Sequence, residues 1–386
     1  MSNRNPETLY SVKGAQFSAV ELPRISEGRG NQNWMKFGEK NLFPQELIEY
    51  YNTSSIHATA VNAITDSVTG QGIEHVGKEY VNGNGETLND VFAKVALDYV
   101  LFNGMSLNVI WNKEGNRIAE IYHLPFANVR SGKENEDGNV EEFHYSTHWE
   151  NTRKYEPKSY RAFSTTDNKK DNASQIFYSF KYRPGQEFYP LPSYVASLTD
   201  IDLDARISRF HSQNLRQGLN PSMFIQFRSG IPTPEERREI YREIDNTFSG
   251  EENAGRFFMS FARPGEEMEI TPIEGAGDTY YVTLDERISS RILTSHRVTS
   301  PLLLGIKDAS GFSNNADEIR VAYNHFMGTV IEPIQEDILK PFNQVLRFHG
   351  LNVELNVIPN EILPVVEEET KIDEDGTSTT DIRTES

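Results

Sequence analysis

Histidine and aspartate supply the spacings in this sequence that chemistry could use. His144 and His148 stand four residues apart. On a helix such a pair shares one face and can hold a metal ion between its rings. Here Phe143-His144-Tyr145-Ser146-Thr147-His148 reads as a strand, where positions four apart lie about 13 Å from one another. Solvated sheet histidines are therefore expected. Asp200, Asp202 and Asp204 alternate as the first ligands of a calcium loop do. The glycine and closing bidentate acid of such a loop do not follow, and the context is helical, so no calcium site is expected. His296 and His325 fall on expected helices, as packing or capping groups. Gly83-Asn84-Gly85 and Gly275-Ala276-Gly277 read as short turns. Walker A, GxGxxG and GxSxG motifs are absent from the sequence. No nucleophile, base and orienting group stand out as a set, so neither an enzyme, a bound metal nor a cofactor is expected.

Composition narrows the classes further. The 386 residues carry 38 Lys plus Arg against 57 Asp plus Glu, a formal net charge of −19. A wide nucleic-acid grip needs cations against phosphates, and this balance opposes it. Cysteine is absent, which removes disulfides, thiol catalysis and cysteine metal sites. No apolar run reaches membrane-spanning length. The first residues, Met1 to Pro6, are polar and give no leader-like apolar stretch, so synthesis inside the cell is expected.

The elements that must position any functional surface follow from periodicity. Residues 1–50 show little of it. Gly28, Gly30, Asn31 and Asn33 mark a loop, with Trp34 and Phe37 docking it either on another subunit or on its own domain. Asn52-Thr53-Ser54 cap a helix whose face is Ile56, Ala60, Val61, Ile64 and Val68, stopped at Gly70 and Gly72. A second helix runs from about Thr87 to Phe102. Ser106 to Trp111 and Ile118 to His123 alternate across a glycine-containing turn, as a hairpin does. Short strands are expected within 124–130 and 142–148, a long polar surface loop over 151–175, and a strand over 175–182.

After heavily punctuated residues 183–192, a long helix is expected from about Ser193 to Gln217. Its apolar stripe (Leu198, Ile201, Ala205, then Ile207 or Phe210) is narrow, which predicts that it needs partners on its flanks. Residues 219–278 read as a β–α–β unit. Its strands are 222–227, 255–262 and 268–272, and its helix starts at Thr233-Pro234-Glu235-Glu236. A further helix, Leu284 to about Thr299, has the stripe Leu284, Ile288 and Ile292. Lys307 to Asn315 is loop-like. A long helix over about 315–348 should kink at Pro333 and break again at Pro341. Leu351 to Pro359 reads as a short strand. Residues 367–386 hold eight acids and two bases and are expected to be a disordered tail. Two rods with thin stripes around a small lobe suit a ring in which copies supply the missing contacts.

Five segments, in this order, resemble the portal protein family of tailed bacteriophages, in its siphophage-type branch. Ser54-Ser55-Ile56-His57-Ala58-Thr59-Ala60-Val61-Asn62-Ala63-Ile64 is similar to the family's early helix. Phe188-Tyr189-Pro190-Leu191-Pro192-Ser193-Tyr194 resembles the lead-in to its first stem helix. Asn214-Leu215-Arg216-Gln217-Gly218-Leu219-Asn220-Pro221 resembles the exit into its clip. His296-Arg297-Val298-Thr299-Ser300-Pro301-Leu302-Leu303-Leu304-Gly305 resembles the segment after its second stem helix. Glu332-Pro333-Ile334-Gln335 resembles the kink of its long helix.

The resemblance implies an α+β portal fold. Its parts would be an N-terminal arm (1–39), a mixed α/β wing (40–192), a first stem helix (193–218) and a small β–α–β clip (219–278). A second stem helix (279–299) follows, then wing, tunnel loop and long kinked helix (300–349), a reduced crown (350–366) and the acidic tail (367–386). It implies a ring of about twelve copies at one capsid vertex, with double-stranded DNA passing through the channel without sequence specificity. The implied partners are the major capsid protein, the terminase large subunit and a head–tail adaptor, and the implied place is the virion, after assembly in the host cytoplasm. Channel candidates are Lys307, Asp308, Ser310, Gly311, Phe312, Ser313 and Asn314 in the loop, with Arg206, Arg209 and Arg216 on the first stem helix. The alternative for those arginines is an ion pair within or between subunits. Docking candidates are Glu235, Glu236, Arg237, Arg238, Arg242 and Glu243. The competing readings are a head–tail connector or minor capsid protein, and a metal-dependent nuclease.

Overall fold

The computed structural model describes residues 22–28, 32–166, 173–216, 224–227, 258–261, 278–298, 316–351, 353–360, 368–372 and 378–382. It also describes the single positions 233, 235, 236, 238, 239, 242, 300 and 303. The architecture is mixed α+β. Two short strands, β1 (Ile25–Glu27) and β2 (Met35–Phe37), pair antiparallel. Helix α1 (Phe43–Thr53) follows, although no helix was expected before residue 52. Its start carries Pro44 in the first turn and a Leu42 cap without a side-chain bond, so the usual polar signal is missing.

Helix α2 (Ser55–Thr69) begins at Ser54, whose hydroxyl accepts from the His57 amide, and ends at Gly70. Helix α3 (Leu88–Phe102) starts with a reciprocal capping box between Thr87 and Asp90 and ends at a left-handed Asn103. The expected hairpin is present as β3 (Gly104–Trp111) and β4 (Ile118–His123). Strands β5 (Val129–Ser131), β6 (Glu142–Tyr145), β7 (Lys158–Ala162) and β8 (Ser174–Phe180) complete one six-stranded sheet of order β4-β3-β8-β7-β6-β5. Only the β7–β8 pair is parallel within it. Strand β7 corrects the expected surface loop. Its Lys158, Ser159 and Arg161 are exposed, so it shows no apolar alternation to read.

One continuous core joins α1, α2, α3 and the β3–β4 hairpin to the later helices. Trp34 and Phe37 dock on this chain itself: Phe37 is buried and stacks on Tyr189, and Trp34 packs against His144 and Trp149. His144 is likewise buried, with Nδ1 2.9 Å from Ser159 Oγ, rather than solvated. His148 stays exposed and stacks on Tyr155.

Helix α4 (Leu198–Arg216) and helix α5 (Asp278–Ser295) leave this body and pack on each other near it. Between them in sequence, β9 (Phe224–Phe227) and β10 (Phe258–Phe261) pair in parallel. Helical backbone at residues 235, 236, 238, 239 and 242 falls between the two strands in sequence, so the described part follows the expected β–α–β order.

Helix α6 (Ala316–Phe326) runs into a π-helical turn, Met327–Ile331, and then into α7 (Glu332–His349). The irregularity therefore lies just before Pro333, which occupies the first turn of α7, where its missing N–H costs least. The expected break at Pro341 does not occur, since α7 continues through it with Ile338, Phe342, Val345 and Leu346 buried on one face. The expected strand after this helix reduces to one bridge, Val357 with Ile73, and Leu355 is buried against the body. In the expected disordered tail, β11 (Glu368–Ile372) and β12 (Ser378–Ile382) form an antiparallel hairpin. Threonine and isoleucine within both strands favour extended backbone despite the acids.

Candidate ring-contact and channel surfaces

The site candidates cluster on α4, on α5 and on the chain between and after them, so the geometry of that helix pair comes first. The lead-in to α4 is pinned by two buried tyrosines. Tyr189 Oη donates to Met35 O at 2.6 Å and accepts from Ser131 N at 2.9 Å. Tyr194 Oη donates to Leu101 O at 2.8 Å. Burial raises both phenols well above the usual tyrosine range, so they remain neutral donors. Asn103 Nδ2 and Arg183 further hold the carbonyls of Leu191 and Pro192.

From this anchor, α4 buries Leu198, Ile201, Asp204 and Ala205. Returning α5 buries Ile288, Ile292 and Leu293. Ser197 Oγ donates to Ser295 Oγ at the root, and Arg291 lies 3.4 Å from Asp200 across the pair. The three aspartates with calcium-like spacing thus serve different neighbours. Asp200 faces Arg291, Asp202 accepts from Arg206, and Asp204 accepts from Ser54 Oγ at 2.6 Å. Among the described residues, no group of three or more acids and histidines could hold a metal ion.

Away from the root the helices turn polar and open. Arg206, Ser208, Arg209 and Ser212 on α4 are exposed, as are Asp285, Glu286 and Arg287 on α5. Arg206 Nε contacts Asp202 Oδ2 at 2.7 Å, one turn earlier on the same helix. Solvent screens that exposed pair, so it adds little to stability. Arg209 is exposed, and Arg216 is the last residue of α4, its side chain outside the described residues. Lys307, Asp308, Ser310, Gly311, Phe312, Ser313 and Asn314 all lie outside the described residues.

On the helix between β9 and β10, Glu235, Glu236, Arg238 and Arg242 are exposed, while Arg237 and Glu243 lie outside the described residues. Glu236 is already engaged in capping. Its Oε2 accepts from Thr233 N at 2.8 Å and from Thr233 Oγ1 at 2.9 Å, and this holds its carboxyl below the usual range.

One cluster carried no signal in the sequence. His57, His296 and Tyr194 meet where α4 departs and α5 returns, with His57 and His296 separated by 239 positions. His296 was expected as a packing or capping group, but nothing local marked its partner.

No protein-family model and no curated protein matches the chain. Solved structures do. A chain from the virion of a native gene transfer agent (GTA) particle is similar over 82% of this chain and 84% of its own, with a TM-score of 0.53 and 15% identity. A chain from the neck of the native GTA particle, in C12 symmetry, is similar over 81% of this chain and 84% of its own, with a TM-score of 0.53 and 17% identity. An HK97 family phage portal protein from Corynebacterium diphtheriae is similar over 77% of this chain and 89% of its own, with a TM-score of 0.46 and 11% identity. The chain therefore shares its fold with chains of the GTA particle, including one of its neck.

Proposed function

We propose that this chain is the portal subunit of a tailed-phage-like particle: a structural, non-catalytic protein whose copies close into a ring at one capsid vertex. The observation that carries this reading is the shared fold, over four-fifths of the chain, with a chain from the neck of the native GTA particle, a neck determined with C12 symmetry. The geometry of α4 and α5 supports it. Both helices are fixed at their roots by buried contacts and expose charged flanks beyond Ala205 and before Ile288, as staves of a ring require.

In this reading α4 and α5 form the stem, residues 219–278 the clip, the six-stranded sheet with α1, α2, α3 and α7 the wing, and residues 306–315 the tunnel loop. Residues 350–366 form a small crown, of which Ile358 meets the body through Gln71 N to Ile358 O at 2.9 Å and Ile358 N to Gly72 O at 2.9 Å. The channel passes double-stranded DNA, with Lys307 and Arg209 its cationic candidates. The exposed face of the clip helix, with Glu235, Arg238 and Arg242, docks the terminase motor and later the head–tail adaptor, while the wing meets the major capsid protein. Mass photometry and negative-stain imaging of the purified chain test the ring. Annular particles of about twelve copies are expected, and a monomer at every concentration, even with capsid components added, overturns the reading.

A further inference from the structure

The buried histidine pair at the root of the two helices has a role that neither the fold nor the ring requires. His57 Nδ1 and His296 Nε2 lie 2.9 Å apart, both residues are buried, and their ring centroids are 5.0 Å apart. Tyr194 closes the third side, its ring centroid 4.5 Å from His57 and 4.7 Å from His296. Each residue belongs to a different part of the joint. His57 sits in the first turn of α2, Tyr194 directly precedes the turn into α4, and His296 directly follows α5. A hydrogen bond between two imidazoles needs one proton, carried by one of the two facing nitrogens. His57 Nε2 has no partner. A buried lone pair is cheaper to leave unmet than a buried N–H, so the favoured arrangement has His57 Nδ1–H donating to His296 Nε2.

We propose that this pair is an acid-sensitive latch: while both rings are neutral it locks the two-helix arm to the α/β body, and protonation releases the arm. An added proton would bury a cation where no carboxylate among the described residues faces the rings, and on His296 Nε2 it would set two N–H groups against each other. The neighbouring charged groups do not compensate. Asp204 on α4 is engaged by Ser54, and Arg297 projects into solvent. Arg291 and Asp200 face each other across the outer side of the helix pair. Burial, with His296 adding repulsion, pushes His57 down to about 3, and burial pushes His296 down to about 4. The sign follows directly. Released histidines titrate near 6.5, so below that pH the opened joint takes up protons that the closed joint refuses. The opening equilibrium then rises roughly tenfold per pH unit for each histidine released. Asp204 works in the opposite direction, because burial raises its carboxyl and it gains its proton while folded.

Hydrogen exchange of the full-length protein between pH 7 and pH 5, corrected for intrinsic rates, tests this. Peptides over 192–205 and 290–298 are expected to lose at least tenfold in protection, while β3 and β8 keep theirs. The variant His296→Gln, which leaves only His57 to titrate, is expected to reduce the pH dependence at those peptides to at most tenfold per pH unit, and the double variant His57→Gln with His296→Gln to abolish it. If either variant does not fold, the wild-type profile decides alone. Unchanged protection at the joint down to pH 5, or loss in step with the sheet, overturns the latch. Ring formation at pH 7 is read separately and is unaffected by either outcome.

Discussion

At the scale of single residues, the body around the two-helix arm is set by a charge with no counter-charge. Arg130 is fully buried on β5, and its five donors all go to neutral acceptors. Nε meets Asn41 Oδ1 at 2.7 Å, Nη1 meets the carbonyls of Ala127 and Val129 at 2.8 Å each, and Nη2 meets Asn41 O at 2.8 Å and Gln45 Oε1 at 3.2 Å. Its guanidinium carbon also lies 4.9 Å from the Trp149 ring centroid. Burial pushes the group down to about 10, so it still carries its charge at neutral pH. Those bonds tie the start of α1 to the sheet edge. Arg130→Met strands several buried acceptors at once and is expected to cost about 3 kcal/mol or more. Denaturant unfolding should show the lower midpoint with an unchanged slope. A midpoint equal to the wild type's would mean that packing, rather than the bonds, holds this corner.

At the scale of elements, Tyr189 joins three pieces of chain: β2, β5 and the lead-in to α4. Tyr189→Phe keeps the stacking on Phe37 at 4.2 Å but leaves Met35 O and Ser131 N unpaired in the core. A loss of about 2–3 kcal/mol is expected, with faster exchange at residues 34–37 and 190–197 before the rest of the sheet. Exchange that rises evenly everywhere would show that the tyrosine does not hold this joint in particular. The sequence made some elements legible and hid others for definable reasons. The helix of residues 55–69 could be read because Ser54 and Gly70 bracket a clean apolar face. The helix of 43–53 could not, because it starts on Leu42 and Pro44 without a polar cap. Strand 158–162 was invisible because a strand interior to the sheet in order still shows exposed side chains here. Within the stripe of α4, Leu198, Ile201 and Ala205 are covered by the body, while Arg206 and Arg209 beside it are exposed. The histidine joint was unreadable because contacts across more than two hundred residues leave no local pattern.

At the scale of the whole molecule, charge decides how such a ring would treat its cargo. Each copy carries a formal charge of −19, so a closed ring multiplies a field that repels phosphate. A channel must let the duplex slide, and each firm cation–phosphate contact adds a trap along the path. The proposed channel surface on α4 offers few such contacts. Arg206 is already paired to Asp202, and Arg209 is exposed, with Glu286 and Arg287 among the exposed charges of the neighbouring α5. Purified rings are therefore expected to bind double-stranded DNA weakly at physiological salt, in the non-specific range of about 10⁻⁴–10⁻⁶ M or weaker. The affinity should fall only gently with salt, because the log–log slope scales with the number of phosphates neutralised. Replacing Arg209 with Ser should flatten that slope by about one for each arginine in simultaneous contact, equally for any DNA sequence. Fluorescence anisotropy of a labelled duplex across a salt series measures both quantities. Tight binding with a steep slope that survives Arg209→Ser would place the cationic surface elsewhere on the ring and remove α4 from the channel wall.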